Sequence, residues 1–208
     1  MELYIVRHGE TTANRTHILQ GMSYPSYLNE IGREQAISVG KRLKEVKFNH
    51  IYTSDLIRAK TTAELIRNEL GVKPPLTETK ALRERNYGDF EGHTWAEVRK
   101  FYNTNAQRSV VEAPPNGESL YDVRDRINAF IKDLKEKYSD ENILLVTHHG
   151  AVMMLCVCLL DLGFEHHKKF QFDNGSVTVF QIGDEYNKLK LCNDTCHILR
   201  KSEEIKIS

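Results

Sequence analysis

The chain has 208 residues, with 29 Lys and Arg residues against 29 Asp and Glu residues, so its formal net charge is zero. A chain of this length can bury roughly 70% of its unfolded surface in one domain. The balance of charge argues against nucleic acid or an anionic membrane as a partner, because either would require an excess of basic residues.

The chain shows no targeting signal and no transmembrane segment. Its first residues enter an apolar, strand-like run instead of the basic and then apolar pattern of a signal peptide. No apolar run is long enough to cross a bilayer. The sequence therefore predicts a cytoplasmic protein that contacts no membrane.

The four cysteines predict thiols rather than disulfides. Cys156 and Cys158 lie inside the apolar segment VMMLCVCLL, where they could not both be bridged without leaving the core. Cys192, Cys196 and His197 lack a second ligand pair at the spacing of a zinc site. We therefore expect no zinc site at these residues.

Apolar periodicity predicts strands and helices that alternate along the chain. The predicted strands are LYIVRH (3–8), FNHIYTS (48–54), NILLVTH (142–148), SVTVFQI (176–182) and KLKLCN (188–193). The predicted helices are GREQAISVGKRLKEV (32–46), DLIRAKTTAELIRNELG (55–71), TWAEVRKFY (94–102), LYDVRDRINAFIKDLKEKY (120–138) and AVMMLCVCLL (151–160). Ser54 and Ser119 are placed as N-caps of the second and fourth helices, and Gly71 as the C-cap of the second.

This alternation indicates an α/β fold. We expect a single domain over residues 1–208, built as a three-layer sandwich with a mainly parallel central sheet and helices on both faces. The last two predicted strands would close the sheet as a pair, and residues 200–208 would fray. Ligands bind such sheets at the carboxyl ends of the strands. Two predicted strands end at His8 and His148, so both imidazoles would emerge in the same crevice.

Several charged residues at these strand ends indicate a phosphate site. Arg7 and His8 precede a glycine-containing turn, where a guanidinium and backbone N–H groups could converge on an anion, although they could equally end a strand at the surface. Arg58 lies in the first turn of a helix, where a cation opposes the helix dipole unless an anion compensates. Its alternative is an ion pair with Asp55. Glu84 lies on an irregular segment among arginines. Taken without the other residues, this position indicates a surface ion pair rather than an acid catalyst.

The segment RHGETTAN (7–14) resembles the signature R-H-G-E-[ST]-x-x-N of the histidine phosphatase superfamily, also called the phosphoglycerate mutase-like family. The octet is specific, and the resemblance continues in the expected order along almost the whole chain. The further matching segments are LQG (19–21), YTSDLIRAKTTAE (52–64), LRERNYGDFEG (82–92), GES (117–119), LLVTHHGAV (144–152) and DNGSVTVF (173–180).

The resemblance implies a phosphoglycerate mutase-like fold and a histidine that is phosphorylated during turnover. His8 would be the nucleophile, Arg7, Arg58 and His148 would hold the phosphoryl oxygens, and Glu84 would donate and accept the proton. The chemistry suits these residue types, because a neutral imidazole is a competent nucleophile near pH 7 and fixed cations offset the charge of the transferred group. No metal is then required.

The resemblance also implies residues that bind the substrate. Asn14 would add a contact to the phosphoryl group, and Gln20 and Gly21 match a segment that lines the substrate mouth in relatives. The family usually has glycine after its second histidine, whereas His149 stands there, so either His148 or His149 could be the catalytic one. Ungapped alignment of the strand favours His148, and His149 would line the pocket or, if the extended geometry continued, point to the opposite side.

The leading interpretation is a cofactor-independent phosphomonoesterase acting on a small phosphorylated metabolite. HHGAV and DNGSVTVF look most like the alpha-ribazole phosphatases, so alpha-ribazole 5′-phosphate is the best single substrate, with phosphoserine or broad-specificity phosphatases as alternatives. Family mutases resemble this chain with an added insertion, whereas only the 24 residues 93–116 separate Gly92 from Gly117 here. A non-catalytic phosphate-binding protein is disfavoured because His8 and Glu84 are both present. A homodimer is left open.

Overall fold

The computed structural model describes residues 1–104 and 112–198. The strands in these ranges are β1 (Glu2–Arg7), β2 (His50–Ser54), β3 (Leu76–Thr79), β4 (Asn142–Thr147), β5 (Val177–Gln181) and β6 (Lys188–Asp194). The helices are α1 (Thr12–Arg15), α2 (Glu30–Arg42), α3 (Ile57–Glu69), α4 (Trp95–Thr104), α5 (Leu120–Lys137) and α6 (His149–Leu159). Three 3₁₀ turns cover Lys80–Leu82, Gly88–Phe90 and Phe164–Lys169.

The strands form one sheet in the order β3-β2-β4-β1-β5-β6. The first four in this order are mutually parallel, whereas β5 and β6 add to the edge as an antiparallel pair. The predicted α/β fold with a mainly parallel sheet and a closing strand pair is therefore confirmed. In the pairing of β1 with β4, Arg7 lies opposite Thr147. The residues that follow these two strands consequently leave the sheet side by side.

Alternation along the strands places one hydrophobic cluster on each face of the sheet. Ile5 and Leu145 point to the face covered by α5 and α6. Val6 and Val146, their neighbours in the chain, point to the face covered by α2 and α3. Successive side chains of a strand alternate in this way, so strands buried on both faces are apolar throughout. This is the predicted arrangement of three layers.

The beginning and end of α3 differ from prediction. The helix begins at Ile57 with Leu56 as its N-cap, because the hydroxyl of Ser54 instead accepts the Leu56 N–H (3.2 Å) and bonds His148. It ends at Glu69, and its C-cap Leu70 has an extended backbone, so the chain leaves the helix without the left-handed residue that Gly71 was expected to provide. Both predicted caps of α3 are therefore wrong.

Other local predictions have mixed outcomes. Ser119 caps α5 as expected, in a capping box with Asp122. The short edge strand β3 was not predicted, because LTET contains little apolar alternation. The expected fraying of residues 200–208 concerns residues outside the described part of the chain. Within the described ranges, no helix has both the length and the apolar character needed to span a bilayer.

Candidate active site

The described residues enclose a cavity of about 560 Å³ at the carboxyl edge of the parallel strands. All the predicted site residues except His148 line this cavity: Arg7, His8, Asn14, Gln20, Gly21, Arg58, Glu84 and His149. They come from segments far apart in the chain, and the sheet edge brings them together as expected for a parallel α/β sheet.

His8 follows the last residue of β1, and only 3% of its surface is exposed. Its Nδ1 lies 2.7 Å from the carbonyl oxygen of Gly9. A carbonyl can only accept, so the neutral ring carries its proton on Nδ1 and leaves a lone pair on Nε2. Burial lowers the pKa of His8 well below its usual value, and the charges of Arg58 and Arg7 lower it further. The ring is therefore neutral near pH 7, the form that can act as a nucleophile.

Two arginines place permanent positive charge at the cavity wall beside His8. Arg7 donates from Nη1 to the carbonyl of Phe172 (2.7 Å), and Arg58 donates from Nη2 to the carbonyl of Gly21 (2.6 Å). The Nε atoms of both side chains are buried without a hydrogen-bond partner among the described residues. Burial lowers the pKa of each guanidinium to about 10, so both stay charged at neutral pH. Together they form a site suited to an anion.

Arg58 does not take up the alternative ion pair with Asp55. The Asp55 carboxylate instead accepts from Nε of Arg83 at 2.7 Å, and this bond lowers the pKa of Asp55. Arg58 occupies the first turn of α3, as predicted, but only 2% of its surface is exposed. The alternative interpretation of Arg58 as an ion-pair partner of Asp55 is therefore wrong.

His148 lies behind His8 instead of on the cavity wall. It is the N-cap of α6, is fully buried, and contacts Ser54 Oγ through Nε2 at 2.8 Å. The Ser54 hydroxyl accepts the N–H of Leu56 and can donate its own hydrogen to Nε2, which suits a ring with its proton on Nδ1. Nδ1 is buried without a partner among the described residues. Burial lowers the pKa of His148 well below its usual value, and Arg58 adds to this.

His149 lines the cavity because α6 begins at this residue. The extended geometry of β4 ends at Thr147, so the condition under which His149 would point to the opposite side is not met. Its ring packs edge-on against Phe172, with centroids 6.2 Å apart. Burial and the charge of Arg7 lower the pKa of His149, whereas Glu84 raises it.

Glu84 is held at the cavity by backbone groups. Its Oε2 accepts from the N–H of Gly150 (3.1 Å), and its Oε1 accepts from the N–H of Arg85 (2.9 Å). A Cβ on Gly150 would lie 2.4 Å from Oε1, so only glycine allows the carboxyl group to approach the start of α6 this closely. Arg126 of α5 holds the segment that carries Glu84 by donating to the carbonyls of Ala81 (2.7 Å) and Glu84 (3.1 Å).

Three further polar residues that line the cavity, Asn14, Gln20 and Asn174, belong to one hydrogen-bond network. The hydroxyl of Thr11 lies within hydrogen-bonding distance of the side-chain oxygens of Asn14 (2.9 Å) and Gln20 (3.1 Å) and can donate its one hydrogen to either of them. Asn174 donates to the carbonyl of His8 (3.0 Å) and to Asn14 Oδ1 (3.3 Å). Asn174 was not predicted as a site residue, although it precedes β5, whose start lies beside the end of β1. The position of Asn174 just before a strand that pairs with β1 is the feature from which it could have been predicted.

The outer wall of the cavity consists of residues that the sequence analysis did not identify. They are His17, Tyr87, Trp95, Arg99 and Gln171. Tyr87 and Trp95 pack edge-to-face with ring centroids 5.7 Å apart, and 39% of Trp95 remains exposed.

Within residues 1–104 and 112–198, no group of three or more His, Cys, Asp or Glu side chains is placed to hold a metal ion. The thiols of Cys192 and Cys196 are free and exposed.

Comparison with known proteins places the chain in a family. The model of the histidine phosphatase superfamily (branch 1) matches residues 3–195. Phosphoglycerate mutase-like protein 4 of Arabidopsis thaliana is 35% identical over 205 residues, which cover 95% of this chain and 86% of that protein. Putative phosphoserine phosphatase 2 of Hydrogenobacter thermophilus is 31% identical over 199 residues, which cover 94% of this chain and 96% of that protein.

A solved structure has the same fold. The alpha-ribazole phosphatase from Shigella flexneri matches with a TM-score of 0.84 and 29% sequence identity, over 93% of this chain and 96% of that chain. The phosphoglycerate mutase-like α/β fold implied by the sequence is thereby confirmed.

Proposed function

We propose that this chain, which belongs to the histidine phosphatase superfamily, is a metal-independent phosphomonoesterase acting on a small phosphorylated metabolite. The observation that carries the proposal is the neutral, buried His8, with a lone pair on Nε2, on a cavity wall that Arg7 and Arg58 share. A nucleophile beside two fixed cations suits the transfer of a phosphoryl group, because the cations offset charge on the transferred oxygens.

In the first step, Nε2 of His8 attacks phosphorus in line with the leaving oxygen. The N–P bond forms while the P–O ester bond breaks. Glu84, on the same cavity wall, gives its proton to the departing oxygen. The Gly9 carbonyl keeps the Nδ1 proton in place, so the products are phosphohistidine and a free alcohol.

In the second step, a water molecule attacks the phosphohistidine. Glu84, now a carboxylate, takes a proton from the water, and the N–P electron pair returns to Nε2 of His8. Arg7 and Arg58 neutralise the phosphoryl oxygens in both steps, and Nδ1–H of His148 supplies a further donor. Release of inorganic phosphate restores the neutral imidazole and the protonated acid.

Alpha-ribazole 5′-phosphate remains the single substrate that we propose. The structural likeness to the Shigella flexneri enzyme supports it, as do Tyr87 and Trp95, because an aromatic pair offers a stacking surface to a heteroaromatic base. Arg99, on the same wall, instead supports a leaving group with a carboxylate, such as the serine suggested by the Hydrogenobacter relative.

A panel of phosphate esters, with release of inorganic phosphate as the readout, tests the proposal. If the base stacks on the aromatic pair, Trp95→Ala should raise KM for alpha-ribazole 5′-phosphate by about 10-fold, while Arg99→Ala changes it by less than about 2-fold. If the protein instead prefers phosphoserine, and Arg99→Ala raises KM more than Trp95→Ala does, phosphoserine would replace alpha-ribazole 5′-phosphate as the proposed substrate. Tyr186→Ala, at an exposed aromatic residue outside the cavity, is the matched control.

The mutase alternative has its own test. The short segment between Gly92 and Gly117 favours access of water to the phosphohistidine over retention of the intermediate. With 3-phosphoglycerate and a bisphosphoglycerate primer, we expect slow phosphate release and no substantial formation of 2-phosphoglycerate. Rapid isomerisation would instead assign mutase activity.

A further inference from the structure

The partly buried carboxylate of Glu91 joins two segments that border the cavity. One is the mouth loop, defined here as residues 20–24, and the other carries Glu84. Glu91 accepts hydrogen bonds from four backbone N–H groups, those of Met22 (2.8 Å), Ser23 (2.6 Å), Tyr24 (3.1 Å) and Tyr87 (3.1 Å). Successive backbone N–H groups form an anion-binding nest, and here the chain supplies the anion itself.

Gly21 connects this nest to the phosphoryl site. Its φ is +51°, and a Cβ on it would lie 1.9 Å from Glu91 Oε1, so the carboxylate lies directly against the Gly21 backbone. The carbonyl of Gly21 accepts the hydrogen bond from Nη2 of Arg58. Glu91, the Gly21 peptide and the Arg58 guanidinium therefore form an unbroken series of contacts that ends at the cavity.

Backbone hydrogen bonds also hold Leu19, just before the mouth loop, and join the N–H of Tyr24 to the carbonyl of Gln20 (3.3 Å) across the loop. Leu19 accepts from the N–H of Gly92 and donates to the carbonyl of His93, both at 2.9 Å. Gly21 lies between Gln20 and Tyr24, directly before the three amides that point to Glu91. Removal of the carboxylate would take away the acceptor of the part-buried Met22 N–H, together with those of Ser23 and Tyr24, and we expect the loop to shift as a result.

We propose that Glu91 is a positioning residue, which holds the mouth loop so that the Gly21 carbonyl fixes the Arg58 guanidinium where it meets the transferred phosphoryl group. The inference rests on the proposed function, because it requires Arg58 to bind phosphoryl oxygens. Since Nε of Arg58 has no partner within the described residues, the bond to Gly21 is the restraint on the loop side of the guanidinium.

The test compares Glu91→Gln and Glu91→Ala on p-nitrophenyl phosphate and on an alkyl phosphate. A misplaced binding group about 1 Å away can cost on the order of 100-fold, so we expect kcat/KM to fall about 10-fold for Gln and about 100-fold for Ala. The loss should be equal on both substrates, and the inhibition constant of orthovanadate should rise in parallel, because Arg58 contacts the phosphoryl group and not the leaving group.

A double-mutant cycle separates positioning from a general loss of structure. In an Arg58→Lys background, Glu91→Gln should cost less than about 2-fold, because the group that it positions is already changed. Multiplicative losses would overturn the inference. A loss of kcat/KM that is larger on the alkyl phosphate than on p-nitrophenyl phosphate would also overturn it. That result would mean that Glu91 acts on the proton donor Glu84, through its bond to Tyr87 on the same segment.

Two further variants complete the experiment. Glu141→Gln is the matched control, since that carboxylate also accepts two backbone N–H groups, at the opposite end of β4, and it should keep wild-type kinetics. If the Glu91 variants fail to fold, Gly21→Ala displaces the same carboxylate from the other side and should give the same kinetic pattern. Full activity of folded Glu91→Gln overturns only this inference, whereas a wild-type protein that hydrolyses no phosphate ester overturns the proposed function.

Discussion

The imidazole rings of His8 and His148 lie with their centroids 5.1 Å apart, at an interplanar angle of 60°. They reach this position because β1 and β4 are parallel neighbours, so that a histidine follows each strand at the same level of the sheet. Burial and the nearby Arg58 lower the pKa of both rings. Two neutral imidazoles therefore share one buried edge with permanent cations.

Burial of these two rings makes the stability depend on pH. Their folded pKa values lie below the unfolded value of about 6.5, so below that pH the unfolded chain binds more protons than the folded one and folding is disfavoured. The free energy of unfolding should fall by about 1.4 kcal/mol per pH unit for each ring as the pH drops from about 6.5 toward the folded pKa values. Urea titrations at a series of pH values measure it. The double variant His8→Gln, His148→Gln should show a shallower slope, and an unchanged slope would contradict the buried neutral state.

Substrates whose leaving groups differ in stability can show whether Glu84 acts as a proton donor. An alkoxide must be protonated as it departs, whereas nitrophenolate is stable enough to leave alone. Glu84→Gln keeps the size but cannot surrender a proton in this way. We expect a loss of on the order of 10²–10⁴-fold in phosphoenzyme formation with an alkyl phosphate, and a much smaller loss with p-nitrophenyl phosphate, measured by rapid quench.

Equal losses on the two substrates would mean that Glu84 positions the phosphate or supports the fold. His149, which lines the same cavity, would then be the first candidate for the proton donor. Glu118→Gln provides a comparison, because Glu118 supports the same segment through the N–H of Asn86 (2.9 Å) without lining the cavity.

Alanine variants of His148 and His149 should differ in how much phosphoenzyme they form. We expect His148→Ala to reduce its formation strongly, because the ring packs against His8 and offers an N–H donor. His149→Ala should change mainly KM, since this side chain lies on the cavity wall. Quantifying the labelled phosphoenzyme in both variants decides the matter. Abolition in His149→Ala with survival in His148→Ala would reverse the assignment.

The charge of the two arginines predicts turnover without a metal ion. Arg7 and Arg58 are charged at neutral pH and lie at the cavity wall, where they can neutralise phosphoryl oxygens. Exhaustive chelation followed by an assay in metal-free buffer should leave phosphate release unchanged. Lost activity that a divalent ion restores would show that a metal supplies the charge.

The sequence predicts the framework of the site because strand endings are local signals. Apolar runs that stop at His8 and His148 indicate two buried strands, and a parallel sheet brings their ends together. Ser54 was misassigned as a helix cap because its actual partner is His148, 94 residues away, and no local pattern encodes such a contact.

The outer wall was missed for a related reason. Trp95 and Arg99 belong to α4, whose periodicity predicts a helix but not where that helix lies relative to the cavity. Glu91 was quoted only as part of a matching segment, because its four amide partners come from two loops and meet only after folding. The fold and the residues at the strand ends are therefore predicted more readily than the residues of the outer cavity wall.

The central claim is that His8 becomes phosphorylated, and trapping that intermediate tests it most directly. Brief incubation with ³²P-labelled substrate and quenching without acid should yield an acid-labile, alkali-stable phosphoenzyme, with the label on the peptide that contains His8. His8→Ala should yield none while remaining folded. A phosphoenzyme that persists in His8→Ala, or a label on any other residue, would contradict the account.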